Sequence, residues 1–282
     1  GSAPLGGPAT IFDTSPNAFG FASPSLSGRE RRAFVVGNAF FKENWVQAPA
    51  SAAGRDGLGP LFNARSCSAC HFKDGRGRPP RAGERGVSGL LLRLGVREAG
   101  VPDRPHPLYG GQLQDHAIHG VSPEATCAVE HTAVRGTFGD GVDYALQAPR
   151  YLLSRPGYGP LGEDVTLGPR VAPQVIGLGL VEAVPAADLV ARADPDDADA
   201  DGISGRVHMV QDLRSGELVP GRFGWKATQP TVAQQTAAAF VNDMGLTTPM
   251  FPSEALSAAQ AAAVTFVSGG APEVSRKKLE RV

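Results

Sequence analysis

The chain has 282 residues, enough for one large domain or two small ones, and its 41% of hydrophobic residues can fill a core. A formal net charge of −1 gives no basic field for nucleic acid or an anionic membrane. No apolar run approaches the roughly 18 residues of a membrane-spanning helix, and 36 Gly with 24 Pro at ordinary charge describe a loop-rich globular chain.

Residues 1–26 are rich in Gly, Ser and Pro and read as an extended segment on the surface. Gly1-Ser2-Ala3-Pro4 has neither a basic nor an apolar leader region, so a mature or recombinant start with the signal removed is expected. Ser27-Gly28 opens an amphipathic helix with Phe34, Val35, Phe40 and Phe41 on its apolar side and Trp45 near its end. A Gly/Pro loop from Gly54 to Pro60 leads to Cys67-Ser68-Ala69-Cys70-His71.

That unbroken C-x-x-C-H is the attachment pattern of c-type haem. Each thiol adds across one vinyl group of the porphyrin, and the adjoining imidazole meets the iron from the same side. A zinc site needs a second ligand pair, and only Cys127 remains. A redox dithiol is the other alternative; the abutting histidine argues against it. The pattern predicts one covalent haem c on Cys67 and Cys70, with His71 as proximal ligand. Haem is attached this way outside the cytoplasm, so the expected location is the periplasm. Cys127 is then an odd cysteine, read as buried and inert, with a disulfide to another chain as the alternative.

Lys73 to Pro80 is basic and helix-breaking, expected at the haem edge. From about 86 to 155 the pattern turns β-rich. Val87 to Leu94 reads as a strand, and Gly139-Asp140-Gly141 as the turn of a hairpin between Thr132–Phe138 and Val142–Leu146. Helical patterns return at Pro185 to Arg192, Val232 to Met244, Leu256 to Val267 and Glu273 to Glu280. The expected fold is mainly α and loop-rich: a cytochrome c-like haem domain over 27–282 with a small β-rich insertion at about 86–155.

Asp194 to Arg206 reads D-P-D-D-A-D-A-D-G-I-S-G-R. Asp197, Asp199 and Asp201 fall at positions 1, 3 and 5 of a calcium-type loop, Gly202 takes the turn, and Ile203 would offer its carbonyl. His208 stands where an EF-hand has its closing glutamate, so Asp194 or Asp212 is the candidate closing ligand. A solvated acidic turn is the plain alternative.

Several motifs in one order resemble the bacterial di-haem oxidoreductases, a family related to cytochrome c peroxidases. The resemblance runs from about residue 27 onward. It rests on Ser66 to His71 with Asp74-Gly75-Arg76-Gly77, on Tyr109-Gly110-Gly111-Gln112-Leu113-Gln114-Asp115, and on Tyr158-Gly159-Pro160-Leu161. It continues through Pro169 to Pro173, Ile176 to Ala183, the acidic loop, Gly221 to Ala227 and Asn242-Asp243-Met244-Gly245. The resemblance implies a second C-x-x-C-H, which this sequence lacks; it therefore looks like the N-terminal haem half. Its expected partner is a redox protein or a second haem domain.

The sixth iron ligand decides between carrying electrons and doing chemistry. Met244, at a helix end before Gly245 and inside a family-like segment, is the first candidate; Met250 in a loop, a histidine, or an open position are the alternatives. Met209, in Val207-His208-Met209-Val210, reads as buried strand packing. Arg76, Arg78, Arg222 and Lys226 are candidates for the haem propionates, and Trp225 for packing on the porphyrin. His116, His119 and Glu182 are the acid/base candidates of a peroxidase-like enzyme, the first two being also plain surface or core histidines. Three functions compete: an electron-transfer module, a peroxidase-like enzyme, and a non-catalytic sensor or iron-handling protein.

Overall fold

The computed structural model describes residue 4 and residues 6–81, 83–84, 89–98 and 100–282. The Gly1-Ser2-Ala3 start and Val87-Ser88 of the expected strand lie outside them. Gly and Pro cut the chain into short pieces. In order these are α1 (Gly28–Lys42), β1 (Leu61–Phe62), α2 (Cys67–Cys70), β2 (Leu90–Glu98), β3 (Val101–Arg104), β4 (Gln112–Leu113) and β5 (His116–Ala117). Then come β6 (Thr126–Thr137), β7 (Asp143–Ser154), β8 (Val165–Val171), α3 (Leu178–Glu182), α4 (Ala186–Ala191), β9 (Met209–Gln211) and β10 (Leu218–Pro220). The chain closes with α5 (Val232–Met244), α6 (Ala258–Ala263) and α7 (Arg276–Leu279).

The expectation of a mainly α cytochrome fold is corrected: helix and strand are nearly balanced, at 22% and 23%. Helical periodicity was a fair guide for α5, which spans Val232–Met244 as the pattern has it. Elsewhere it overran. The 256–267 pattern yields only Ala258–Ala263, and the 273–280 pattern only Arg276–Leu279. Helices so short are marginal in isolation and hold because they dock. Leu279 and Val274 accordingly sit in the core beside Trp45 and Phe240.

Strand content was missed because β8 contains Gly168-Pro169, which reads as punctuation. It nevertheless pairs antiparallel with β2 along seven residues, from Leu90 opposite Val171 to Val96 opposite Val165. On its other edge β2 takes β4 at Leu92 and Arg93, then β3 at Val96 and Glu98, with a register shift between those two pairs. The sheet thus recruits a strand from beyond residue 155. The hairpin at Gly139-Asp140-Gly141 is present and longer than the pattern indicated, with Thr126 opposite Ser154 and Thr137 opposite Asp143.

Two cores result. One packs β2 and β4 under Tyr109 and Ala125. The other gathers Trp45, Phe62, Phe240, Met244, Leu246 and Val274. Ser27 and Glu30 close a reciprocal capping box on α1. Phe40 packs on the second core, whereas Val35 is 62% exposed and the buried Trp45 lies past the helix end. No helix of the described residues is long and apolar enough to cross a membrane.

Candidate functional site

A single helical turn, α2, carries the two motif cysteines three residues apart, so both sulfurs share one face. That face opens on a cavity of about 1120 Å³, above the roughly 300–1,000 Å³ usual for small-molecule pockets. Cys67 and Cys70 line it from α2, His71 from the residue that caps α2, Phe34 and Phe41 from α1, and Met244 from α5. Residues of the N-terminal segment, among them Phe19 and Phe21, form a further wall. Burial pushes the thiols up, to about 12 for Cys67 and about 11 for Cys70. Thiols so far from ionising are poor nucleophiles, which weighs against a redox dithiol.

His71 is fixed from behind. Its Nδ1–H donates to the carbonyl of Pro173, 2.7 Å away in the loop after β8. That bond assigns the proton to Nδ1 and leaves Nε2 as the free lone pair, the arrangement that metal-ligating histidines use. Burial also lowers the imidazole's pKa, which keeps Nε2 unprotonated. Asp74 lines the same cavity; its carboxyl is raised by burial and steadied by Lys42.

Met244 is 2% exposed and ends α5. Its position is set by backbone. The Met244 carbonyl accepts the Gly59 N–H at 3.0 Å, and Gly245 terminates the helix with φ +62°. A Cβ at 245 would lie 2.8 Å from Gly59 Cα and 2.9 Å from the Leu61 carbonyl oxygen, so only glycine fits. Two thiols on one turn, an imidazole with a directed lone pair and a buried thioether on one apolar cavity fit a haem.

Behind the cavity lies a polar network that sequence reasoning missed. Gln112 Nε2 donates to Asn63 Oδ1 and Asp243 Oδ1, both at 2.8 Å, while Arg93 donates to Gln112 Oε1 at 2.8 Å. Asp243 lines the cavity, and burial pushes its carboxyl up to about 6. The only signal was that Gln112 and Asp243 fall in two of the family-like motifs; which groups face one another is set by the fold.

The other candidates are dispersed. Arg76 is exposed and reaches Gln174; Arg78 pairs with Glu84. Arg222 donates to the carbonyls of Val181 and Val184, and Trp225, 55% exposed, donates to the Val171 carbonyl. Lys226 is exposed, and its carbonyl accepts from His208. Among the described residues none of these five lines the cavity. The Arg222 and Trp225 bonds tie the 222–226 loop to α3 and to the end of β8.

His116 stacks on Phe62 and binds Asp115, whose carboxylate raises its pKa; His119 is an exposed turn residue. Glu182 accepts from the Val232 N–H at the start of α5. None of these three lines the cavity either. Of the other methionines, Met209 is 46% exposed, contrary to the buried-strand reading, because β9 pairs only with β10 at the surface. Met250 packs against the second core. Cys127 is a free, half-buried thiol beside the sheet core.

In the acidic loop the carboxylates of Asp194, Asp197 and Asp199 converge within 4.8 Å of one another. Asp201 is not in that group. Its carboxylate accepts the Ile203 N–H at 2.7 Å, and Asp212 accepts from Arg214 in a separate turn. Of the expected set, Asp197 and Asp199 are brought together with Asp194 and without Asp201, and the backbone is left-handed at Asp197 (φ 53°) and Ala200 (φ 57°).

With this geometry in view, comparison with protein families finds one match, to the model described as "di-haem oxidoreductase, putative peroxidase", over residues 2–92 and 159–274. The chain belongs to this di-haem oxidoreductase family. It is accordingly a haem oxidoreductase. The unmatched interval, 93–158, holds most of β2 and all of β3 to β7. No curated protein and no solved structure matches the chain.

Proposed function

We propose that the chain is an exported, periplasmic c-type cytochrome module that holds one haem and passes electrons to a partner protein or a second haem domain. Cys67 and Cys70 would each form a thioether, the S–H adding across a vinyl C=C, and His71 Nε2 and the Met244 thioether would both hold the iron. The haem supplies a one-electron ferric/ferrous couple when bound. The protein's own contributions are a directed imidazole, an apolar wall that keeps out water, and a thioether that favours the ferrous state. The observation that carries this reading is the meeting of Cys67, Cys70, His71 and Met244 on one large cavity. The family speaks of two haems, but the three cysteines here include only one C-x-x-C-H.

Protein matured with the export machinery tests the proposal directly. Denaturing mass spectrometry should retain the mass of one haem, and the reduced-minus-oxidised spectrum should be that of a low-spin, six-coordinate c-type haem. A bare polypeptide mass ends the proposal.

The family description favours a second reading, a peroxidase-like enzyme in which Met244 is displaced or absent from the iron. His116, His119 and Glu182, set away from the cavity, are ill placed as its acid or base; Asp243 is the better-placed carboxyl. A high-spin ferric spectrum would favour that reading over the electron carrier. A calcium ion held by Asp194, Asp197 and Asp199 completes the proposal in an architectural role, supported by the convergence of their carboxylates.

A further inference from the structure

The cavity wall is mostly apolar, and the partners of its charged groups separate them. Three acids line it, Asp13, Asp74 and Asp243. Asp13 accepts from the Ser15 N–H, Asp74 is steadied by Lys42, and Asp243 is held by Gln112. One residue that lines the cavity carries a guanidinium, Arg281, and no Lys or other Arg does so among the described residues. Its backbone N–H bonds the Lys278 carbonyl at 3.1 Å. No hydrogen bond, ion pair or ring contact occupies its side chain among the described residues. A half-buried cation left without an anion is costly.

The site is also built, because Arg281 is fixed on both sides. Leu279 anchors the tail in the core. Gly37 of α1, itself on the cavity wall, lets the Arg281 carbonyl press against the helix where any Cβ would overlap it. A glycine inside a helix costs about 1 kcal/mol relative to alanine, and here it secures that approach.

We infer that Arg281 is the cation that receives a propionate carboxylate of the haem. The inference rests on the haem reading above and adds an orientation to it. Cys67 and Cys70 of α2 would hold the thioether side of the ring, and Arg281, where the C-terminal segment crosses Gly37, would hold its carboxylate edge. Guanidinium suits the task because its fork of donors matches a carboxylate bidentately. The arginines first considered from sequence are spent on other partners.

The test compares haem-loaded wild type with Arg281→Gln and Arg281→Lys, reading covalent haem by mass and reduction potential by spectroelectrochemistry between pH 6 and 8. Removing a positive charge beside the haem should favour the ferric form on the order of tenfold, a drop of about 59 mV for a one-electron couple. The propionate pKa should rise, so the potential of Arg281→Gln should depend more steeply on pH. Arg281→Lys should restore most of both. A Gln variant that keeps its haem and the wild-type potential overturns the inference, as does a Lys variant displaced as far as Gln, which would mark a packing role. Absence of haem from the wild type would instead sink the haem reading itself.

Discussion

Replacing Gly245 by alanine tests how the fold holds Met244. Two costs add. The residue sits at φ +62°, where a side chain costs roughly 1–2 kcal/mol. The new methyl would also stand 2.8 Å from Gly59 Cα and 2.9 Å from the Leu61 carbonyl oxygen, both backbone atoms that cannot swing aside. Forcing a methyl into such packing costs about 1–3 kcal/mol. Together they predict a loss of roughly 3 kcal/mol, or about 6–12 °C in Tm for a chain of this size. Gly216 is the control: its φ is +77°, but nothing lies within 4 Å of a Cβ there. Gly216→Ala should therefore lose only the conformational part, about 1–2 kcal/mol. Thermal unfolding of the two variants, followed by circular dichroism, isolates the contact with Gly59. Equal losses at the two positions would refute the packing argument. If the argument holds, Gly245→Ala should also weaken the methionine signature in the visible spectrum, since α5 must shift to accommodate the methyl.

Met244→Ala should keep the covalent haem while abolishing the weak charge-transfer band of a methionine-ligated ferric haem, lowering the potential and opening the iron to small ligands; survival of the band would exclude Met244. Burial raises four carboxyls, Glu124 and Glu254 to about 8, Asp243 to about 6, and Asp74 in the same direction. The folded state then holds protons that the unfolded chain has released, so stability is full below about pH 4.5 and declines as pH rises toward 8. Denaturant titrations of Glu124→Gln should show a flatter decline than wild type, and an unchanged slope would remove Glu124 from the account. Chelation should lower Tm and added calcium restore it if the Asp194, Asp197 and Asp199 carboxylates hold an ion; indifference to both would leave an acidic turn.

Local chemistry was legible along the chain. The C-x-x-C-H spacing, the hairpin turn at 139–141 and the full span of α5 follow from rules that operate within a few residues. The family could be named from motif order alone, although the expected cytochrome-like fold was wrong. Pairing over distance was not legible. β8 joins β2 across some seventy intervening residues despite its Gly-Pro, and that one pairing brings the Pro173 carbonyl to His71.

The propionate candidates show the same limit. Sequence named arginines by proximity to motifs, but whether a guanidinium faces the cavity or a backbone carbonyl depends on which helix packs beneath it. The chain by itself determined that two thiols and an imidazole fall together, because their spacing sets them on and beside one helical turn. Only the tertiary structure decided which distant groups share the cavity. Met244 is brought there by a Gly59–Gly245 contact and Arg281 by a gap at Gly37, and both are close approaches of backbones that no local pattern encodes.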